Sequence, residues 1–216
     1  MTGALANRRV LVTAGPTYED IDPVRFIGNR SSGKMGFAIA AAAAARGAHV
    51  TLVTGPVSLA TPAGVDRVDV RSAAQMHQAV LSALPADVYI SAAAVADYTP
   101  VATAAEKIKK GAGAMTIELV PTVDILAEVA AHARRPQIVV GFAAETSDVA
   151  RHARGKLEAK RLDMIAANRV GVPGSGFESD DNALSVYWPG GARELGPGPK
   201  ARLAGELLDL VAQRLA

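Results

Sequence analysis

Short apolar runs rich in β-branched residues alternate along most of this chain with longer segments of helical character. Two of the runs stop at a glycine–proline pair, Gly15-Pro16 and Gly55-Pro56, and short runs of this kind are typical of buried parallel strands. Strands that alternate with helices form βαβ units and favour an α/β fold with a Rossmann-like, doubly wound, mainly parallel sheet. We expect strands over 9–14, 49–54, 65–70, 88–94, 115–119, 137–143 and 164–167, and helices over 34–46, 73–84, 123–133, 147–161 and 200–215.

Length and composition fit one domain over residues 1–216. Half of the residues are hydrophobic but only 4% are aromatic, which suits alanine-rich helices that lie close to a sheet. The polar segments 18–31 and 97–113 are expected to be an irregular connection and a mobile loop. From residue 168 glycines and prolines interrupt the pattern, and 182–188 indicates a C-terminal β-hairpin or an edge extension of the sheet.

Several classes of function are disfavoured by composition. The chain has no cysteine, which excludes disulfides, thiolate metal sites and a cysteine nucleophile. Its four histidines are scattered without metal-ligand spacing, and its net charge of +2 is too small to indicate nucleic-acid binding. No apolar run approaches the ~20 residues of a membrane span, and the N-terminus lacks the apolar core of a signal peptide. We therefore expect a soluble, cytoplasmic protein that binds neither nucleic acid nor membrane.

The segment from Gly28 to Met35 nearly matches a phosphate-binding P-loop. Met35 stands where a P-loop has the magnesium-binding Ser or Thr, and the segment begins too far after the first strand. A Gly/Ser-rich turn that opens a helix still presents N–H groups to an anion, although an ordinary helix capped by Ser31 or Ser32 is the alternative. Asn29 can donate to a carbonyl or an oxyanion, or can be a turn residue in a left-handed conformation.

Asp97 follows the apolar strand expected at 88–94. Ligands of open α/β sheets bind outside the carboxyl ends of the strands, so this carboxylate is placed for a ribose hydroxyl or a metal ion. Its alternative role is to cap a turn.

Two groups of lysines are candidates for binding phosphate. The cluster Lys107-Ile-Lys-Lys110 is followed by glycines, and it can close over phosphates or lie on a solvated loop. Lys156 and Lys160 share one face of a predicted helix. Their repulsion favours an anion between them, unless glutamates such as Glu158 neutralise them.

Eight segments of the chain follow one another as they do in one enzyme family. They are Thr13-Ala-Gly-Pro-Thr17, Asp22-Pro-Val-Arg25, Asn29-Arg-Ser-Ser-Gly-Lys-Met-Gly36, Gly55-Pro-Val-Ser58, Ala93-Ala-Val-Ala-Asp-Tyr98, Lys107-Ile-Lys-Lys110, Gly141-Phe-Ala-Ala-Glu-Thr146 and Asp181-Asn-Ala-Leu184. On these segments the chain resembles bacterial phosphopantothenoylcysteine synthetase, the CTP-dependent phosphopantothenate–cysteine ligase, over nearly its whole length. In many bacteria this module is the C-terminal half of a bifunctional protein whose N-terminal half is a flavin-dependent decarboxylase. The resemblance implies a stand-alone enzyme or a domain fused to such a decarboxylase, with no flavin in this chain.

The resemblance implies a two-step ligase reaction in coenzyme A biosynthesis. The carboxylate of 4′-phosphopantothenate attacks the α-phosphate of CTP, which gives an acyl-cytidylate and pyrophosphate. The amine of L-cysteine then displaces CMP and forms the amide. Mg²⁺ is expected with CTP, and the family implies a homodimer, for which 168–191 is the expected dimerisation extension.

The resemblance also assigns roles to individual residues. Asn29, which acts on the acyl part, and Lys107, which contacts the triphosphate, are the expected catalytic residues. Asp97 is expected to bind the ribose or the metal-bound nucleotide. The residues expected to bind CTP are Ser91, Ala92, Ala93, Asp97, Lys107, Val123, Asp124, Ile125, Leu126, Phe142, Lys156 and Lys160. Those expected to bind phosphopantothenate are Gly28, Asn29, Arg30, Ser31, Ser32 and Gly33.

One segment departs from the family pattern. Where bacterial relatives usually have Lys-Asn-Pro-Asp, this chain has Pro121-Thr122-Val123-Asp124, so a basic residue is missing beside the expected cytosine site. A preference for CTP then depends on backbone groups that contact the base. Two other classes stay open: a non-catalytic nucleotide-binding module, and an NAD(P)-dependent oxidoreductase, although the first turn lacks Gly-x-Gly-x-x-Gly.

Overall fold

The structure is a computed structural model that describes residues 5–145, 147–169 and 179–215. In this part of the chain an eight-stranded mixed sheet has helices on both faces. The strands are β1 (Arg9–Ala14), β2 (Tyr18–Asp20), β3 (Phe26–Gly28), β4 (His49–Thr54), β5 (Val65–Asp69), β6 (Val88–Ser91), β7 (Tyr98–Pro100), β8 (Leu119–Pro121), β9 (Ile138–Glu145), β10 (Met164–Arg169), β11 (Asp181–Trp188) and β12 (Gly191–Pro199). The helices are α1 (Lys34–Ala44), α2 (Ala73–Ser82), α3 (Ile125–Ala131), α4 (Val149–Ala159) and α5 (Lys200–Leu215).

The strand order across the sheet is β12-β11-β10-β9-β6-β1-β4-β5. The six strands from β5 to β10 in this order are parallel and follow the 3-2-1-4-5-6 arrangement of the Rossmann fold. The chain leaves β1 on one side through β4 and β5, and returns to β6 on the other side of β1. Ligands of such sheets bind at this switch point, outside the carboxyl ends of β1 and β6. The predicted fold class is confirmed.

Alternation along the strands divides the core into two layers. In β1, Val10 and Val12 lie in the layer that contains α1 and α5, whereas Leu11 lies in the opposite layer with α2, α3 and α4. Full burial of each large aliphatic side chain stabilises the fold by about 1.5–3 kcal/mol. Packing in these two layers fixes the positions of the helices whose first turns border the candidate site. None of the helices in the described part of the chain combines the length and apolar character that a membrane crossing requires.

Two small antiparallel hairpins lie outside the main sheet. β2 pairs with β3, where the rings of Tyr18 and Phe26 stack with centroids 3.9 Å apart, and β7 pairs with β8. The predictions of an irregular segment over 18–31, a loop over all of 97–113 and a strand over 115–119 are therefore wrong in part. Strands of three residues are too short to show a two-residue period, and only their pairing defines them.

The sheet is extended at its C-terminal edge by two antiparallel strands. β11 pairs with β10, and β12 pairs with β11, so the predicted hairpin is confirmed as part of the main sheet. Helix α5 then packs beside α1 on the first face. Residues 170–178 of the expected dimerisation extension lie outside the described residues, and a role of 168–191 in dimerisation stays a prediction.

Candidate active site

Two adjoining cavities open at the carboxyl ends of β1, β6 and β9. The first, which we call the α1 cavity, has a volume of about 500 Å³ and lies against the turn 29–33 and the first turn of α1. The second, the α3 cavity, has a volume of about 250 Å³ and lies between the end of β6, the first turn of α3 and helix α4. Ala93, Val95 and Phe142 line both cavities, so ligands in the two would meet at this shared wall.

The α1 cavity is bordered by the N-terminus of α1. The N-cap is Gly33, with a positive φ of 74° and no capping side chain, so the predicted cap by Ser31 or Ser32 is wrong. The Ser31 hydroxyl instead accepts a hydrogen bond from the N–H of Gly33 at 3.3 Å. First-turn N–H groups of a helix have no intrahelical acceptor, and the residues that carry them, 34–36, line the cavity. This arrangement favours an anionic group of the ligand at this end.

Asn29 joins the turn before α1 to the segment after β6. Its Nδ2 donates to the backbone carbonyl of Val95 at 2.8 Å, and Val95 lies in the wall shared by the cavities. The alternative interpretation of Asn29 as a left-handed turn residue is wrong, because its φ is not positive. Its amide therefore lies beside the position where the two ligands would meet.

Lysines of α4 border the α3 cavity and are paired with carboxylates. Lys160 Nζ lies 2.6 Å from Asp124 Oδ2, and Lys156 Nζ lies 2.7 Å from Glu145 Oε1. The partners are thus Asp124 and Glu145, and the interpretation that Glu158 neutralises these lysines is not what the structure shows. Asp124 is also the N-cap of α3, because its carboxylate accepts a hydrogen bond from the N–H of residue 127 at 3.0 Å.

The pKa values of both carboxyls reflect these contacts. Burial acts to raise the pKa of Asp124, but hydrogen bonds from Lys160 and from backbone N–H groups outweigh it and hold the pKa below its ordinary value. The pKa of Glu145 is lowered in the same way, because burial is outweighed by Lys156 and His152. Both side chains are carboxylates at neutral pH, and a phosphate group that enters this cavity must compete with them.

Most of the predicted nucleotide-binding residues come together around the α3 cavity. Asp97 is exposed at its edge. Ala92 lies on the side of the α1 cavity. The predicted residues that line the α3 cavity are Ser91, Ala93, Asp97, Val123, Asp124, Ile125, Leu126, Phe142, Lys156 and Lys160. Of the residues expected to bind phosphopantothenate, Asn29, Arg30, Ser31, Ser32 and Gly33 line the α1 cavity.

Gly28 and Lys107 are not brought into the linings of these two cavities. A Cβ at Gly28 would lie 2.8 Å from the carbonyl of Thr17, so this glycine allows β2 and β3 to approach. Lys107 is exposed between β7 and β8. The next residue, Ile108, donates its N–H to Asp22 at 3.2 Å, and Arg25 donates to its carbonyl at 2.5 Å, which fastens the middle of the lysine loop.

Four polar residues of the α1 cavity have no role in the sequence prediction. They are Lys34, Asn168, Asn182 and Lys200. Asn168 directly follows the predicted strand 164–167, a position at which the strand-end rule predicts a ligand contact. Asn182 lies in a segment that carries the family resemblance. Lys200 is the first residue of a helix remote in sequence, and no motif indicates it.

The linings of the two cavities differ in charge. Among the described residues, the α1 cavity is lined by the cations Arg30, Lys34 and Lys200 and by no aspartate or glutamate. The α3 cavity has two lysines and two aspartates. No group of three or more histidine, aspartate or glutamate side chains in the described residues is placed to hold a metal ion by itself.

The fold and the site define a Rossmann-like domain with two adjoining polar cavities at the switch point of the sheet. A family model described as the DNA/pantothenate metabolism flavoprotein C-terminal domain matches residues 5–215, and the chain belongs to this family. It is 52% identical over 208 residues to the coenzyme A biosynthesis bifunctional protein CoaBC of Vibrio parahaemolyticus, covering 95% of this chain and 52% of that protein. It is 49% identical over 211 residues to CoaBC of Bacillus subtilis, covering 96% of this chain and 52% of that protein.

A solved structure supports the same family. The crystal structure of the C-terminal domain of a CoaBC protein superposes with a TM-score of 0.84 at 41% identity, covering 99% of this chain and 98% of that one. The chain spans about half the length of the bifunctional relatives that it matches.

Proposed function

We propose that the chain is a phosphopantothenate–cysteine ligase of coenzyme A biosynthesis. The observation that carries the proposal is the meeting of two cavities with cationic side chains in their linings at one wall, with the Asn29 amide hydrogen-bonded to Val95 of that wall. A reaction between a carboxylate and the inner phosphate of a nucleotide needs two ligands held end to end in this way. The names of the relatives, coenzyme A biosynthesis bifunctional proteins, support the same activity.

CTP is assigned to the α3 cavity. Asp97 would accept a hydrogen bond from a ribose hydroxyl, and the backbone of 123–126 would contact cytosine. Lys156 and Lys160 would exchange their carboxylate partners for phosphate oxygens, since charge-assisted hydrogen bonds to phosphate are strong. Phe142, half-buried between the cavities, would pack on the nucleotide. Because backbone groups would contact the base, the missing basic residue at Pro121 is compatible with CTP.

Phosphopantothenate is assigned to the α1 cavity, with its carboxylate at the shared wall. Attack of a carboxylate oxygen on the α-phosphorus forms the acyl–phosphate bond and breaks the bond to pyrophosphate. The amine of cysteine then attacks the acyl carbon, CMP leaves with the bonding electrons, and the amine loses a proton. The neutral Asn29 amide would stabilise negative charge on the acyl group, and Lys107 would approach the triphosphate when its loop closes.

Mg²⁺ fits this cavity as part of the nucleotide complex. Magnesium usually binds through one or two carboxylates plus substrate phosphates and water, and Asp97 supplies one carboxylate at the edge of the cavity. When bound, the ion would neutralise phosphate charge. The protein's own contribution is to orient the triphosphate through Lys156 and Lys160.

A homodimer is part of the proposal. The two small hairpins carry partly exposed apolar side chains, with Phe26 45%, Tyr98 52% and Val120 41% exposed. Apolar surface grouped in this way is typical of interfaces, so these hairpins are a second candidate surface besides 168–191. Fusion to an N-terminal flavin-dependent decarboxylase is also part of the proposal, and the greater length of the bifunctional relatives supports a fusion.

The ligase is tested by pyrophosphate release. The chain is mixed with Mg²⁺, 4′-phosphopantothenate and L-cysteine, and with CTP, ATP, GTP or UTP in turn. We expect release that requires both CTP and phosphopantothenate, and a product with the mass of the cysteine amide. Absence of phosphopantothenate-dependent release with every nucleotide would refute the activity, and equal rates with all four would refute only the CTP preference.

A further inference from the structure

The segment Asp22-Pro-Val-Arg25 carries part of the family resemblance but is not among the described residues that line the two cavities. It forms the turn between β2 and β3, where the N–H groups of Ile21 and Asp22 donate to the carbonyl of Arg25 at 2.8 and 3.2 Å. This turn lies against the lysine loop, residues 101–118, which connects β7 with β8. Two segments of the resemblance that are far apart in the chain are therefore in contact.

Asp22 is a buried carboxylate whose two oxygens serve different partners, since its side chain is 0% exposed. Oδ1 accepts hydrogen bonds from the N–H groups of Val24 and Arg25, both at 2.8 Å, and so holds its own turn. Oδ2 accepts from the N–H of Ile108 at 3.2 Å and lies 3.0 Å from Nη2 of Arg25. Burial acts to raise the pKa of Asp22, but these hydrogen bonds and the charge of Arg25 hold the pKa below its ordinary value.

The lysine loop is fastened to this turn at Ile108 and Ala104. The N–H of Ile108 donates to Asp22, and its carbonyl accepts from a guanidinium of the turn at 2.5 Å. The N–H of Ala104 donates to a carbonyl of the same turn at 2.9 Å. Both residues are half-buried, whereas Lys107 is exposed. In the described part of the chain, residues 109–117 make no hydrogen bond to the rest of the protein. The loop is therefore fixed as far as Ile108, and beyond it only at its end.

Lys107 directly precedes this fixed point. A long loop that is held only at its two ends samples many positions, and ordering it for the reaction costs conformational entropy. A fixed peptide at Ile108 restricts the Lys107 ammonium to the positions that its own side chain can reach. Placement of a reacting group matters, because a misplacement of about 1 Å can cost on the order of 100-fold in rate. The contact with Asp22 thus gives the loop a fixed point about which it can close.

We propose that Asp22 is a positioning residue for the ligase reaction, which holds the peptide of Ile108 so that Lys107 meets the triphosphate in a restricted geometry. The proposal rests on the proposed function for the role of Lys107. Asp22 lies outside the linings of the two cavities and acts through Lys107. Its removal should therefore affect the rate only while Lys107 is present.

The test compares Asp22→Asn with the matched control Asp20→Asn. Asparagine has a single acceptor oxygen, which can serve the turn or the loop but not both, and its amide nitrogen only donates. Asp20 belongs to the same hairpin, but its carboxylate accepts from Arg71 at 2.6 Å, so its change removes the same charge and leaves the bond to Ile108 in place. Hydrogen exchange of the substrate-free protein measures the anchor, and pyrophosphate release gives kcat and KM.

We expect peptides that cover residues 105–112 to exchange faster in Asp22→Asn than in the wild type, and the main sheet to exchange at the same rate. The kcat should fall about 10- to 100-fold while the KM for CTP stays within about threefold, because the position of Lys107 in the transition state is lost. In the Lys107→Gln background, Asp22→Asn should change kcat by less than about twofold. Asp20→Asn should resemble the wild type in both measurements.

Unchanged exchange in Asp22→Asn would refute the anchor whether or not the chain is a ligase, whereas absence of release by the wild type would refute the proposed function. Equal losses of kcat with and without Lys107 would mean that Asp22 only supports the fold. Unchanged kcat despite faster exchange would show that the anchor does not position Lys107. Should Asp22→Asn fail to fold, Ile108→Pro, which removes the donor N–H from the loop and leaves the turn intact, must show the same loss and the same dependence on Lys107.

Discussion

The close approach of α1 to β1 can be tested with one methyl group. Gly36 lies in the first turn of α1, and a Cβ there would stand 2.5 Å from Ala14 Cβ and 3.2 Å from the carbonyl oxygen of Thr13. Both neighbours belong to the buried central strand β1 and cannot turn away. Gly36→Ala must therefore move α1 outward by about 1 Å to restore ordinary contact.

The size of the effect follows from two opposing contributions. Overpacking a well-filled core costs about 1–3 kcal/mol, and replacing glycine by alanine inside a helix returns about 0.5–1 kcal/mol. The net loss is therefore at most about 2.5 kcal/mol, which corresponds to a fall in Tm of up to about 10 °C for a chain of this size. Gly155 is the matched control, because it lies inside α4 and a Cβ there meets nothing within 4 Å. Gly155→Ala should raise Tm by about 1–4 °C.

The outward movement of α1 should also displace residues that line the candidate site. The first-turn amides of α1 border the α1 cavity, and a misplacement of about 1 Å can cost on the order of 100-fold in rate. Thermal unfolding of both variants, with and without phosphopantothenate, measures stability and binding together. If Gly36→Ala raised Tm as Gly155→Ala does, or kept its rate of phosphopantothenate-dependent pyrophosphate release within twofold, the close contact between α1 and β1 would not be what positions the site.

Three further predictions concern the lysine loop, the α3 cavity and the hairpins. Lys107→Gln should lower the kcat of pyrophosphate release at least about 100-fold, whereas Lys110→Gln in the same loop should change it by less than about threefold; equal losses would show that only the net charge of the loop matters. Asp124→Asn should lower the free energy of unfolding at pH 7 by about 0.5–1 kcal/mol. The loss is small because solvent screens the ion pair of Asp124 with Lys160. The pKa of the Asp124 carboxyl is lower in the folded than in the unfolded protein, so its stabilisation is complete above the unfolded pKa of about 3.9 and is lost as the pH falls through the folded pKa. The difference in Tm between the wild type and Asp124→Asn should therefore shrink below about pH 4. A difference that is independent of pH would contradict the ion pair. Val120→Asp should shift a dimer toward monomer in light scattering, and an unchanged mass would exclude the hairpin surface.

Much of the fold could be predicted because its strands are long enough to be apolar runs. β1 and β4 have the bounds that the sequence predicts, and β6 begins at the predicted residue but ends at Ser91, three residues early. The small hairpins could not be predicted, because three-residue strands depend on a partner elsewhere in the chain. The preference of N-caps for serine predicts Ser31 or Ser32 at the start of α1, whereas the structure has Gly33 there, with a positive φ of 74° that favours glycine.

The candidate site was predictable where local sequence carries the chemistry. Asp97 follows a strand at the ligand-binding edge, and the spacing of Lys156 and Lys160 places both on one helix face. Phe142 lies within β9, and only the family resemblance indicates it. Lys200 could not be found in this way, since it reaches the α1 cavity only because α5 packs back beside α1. The position of Lys107 at the site stays a prediction that requires its loop to move.

The two cavities would hold the proposed anionic ligands by different physical means. In the α3 cavity each lysine already has a carboxylate partner, so the proposed triphosphate would have to replace Asp124 and Glu145. The free energy gained would then be the difference between two sets of ion pairs. In the α1 cavity the described lining residues include the cations Arg30, Lys34 and Lys200 and no carboxylate, so an anionic group of the proposed acid substrate would meet a positive lining. Selection of the acid is therefore expected to reside in this positive lining. Selection of the nucleotide has to arise from contacts with its base, because exchange of ion pairs distinguishes charge and not cytosine.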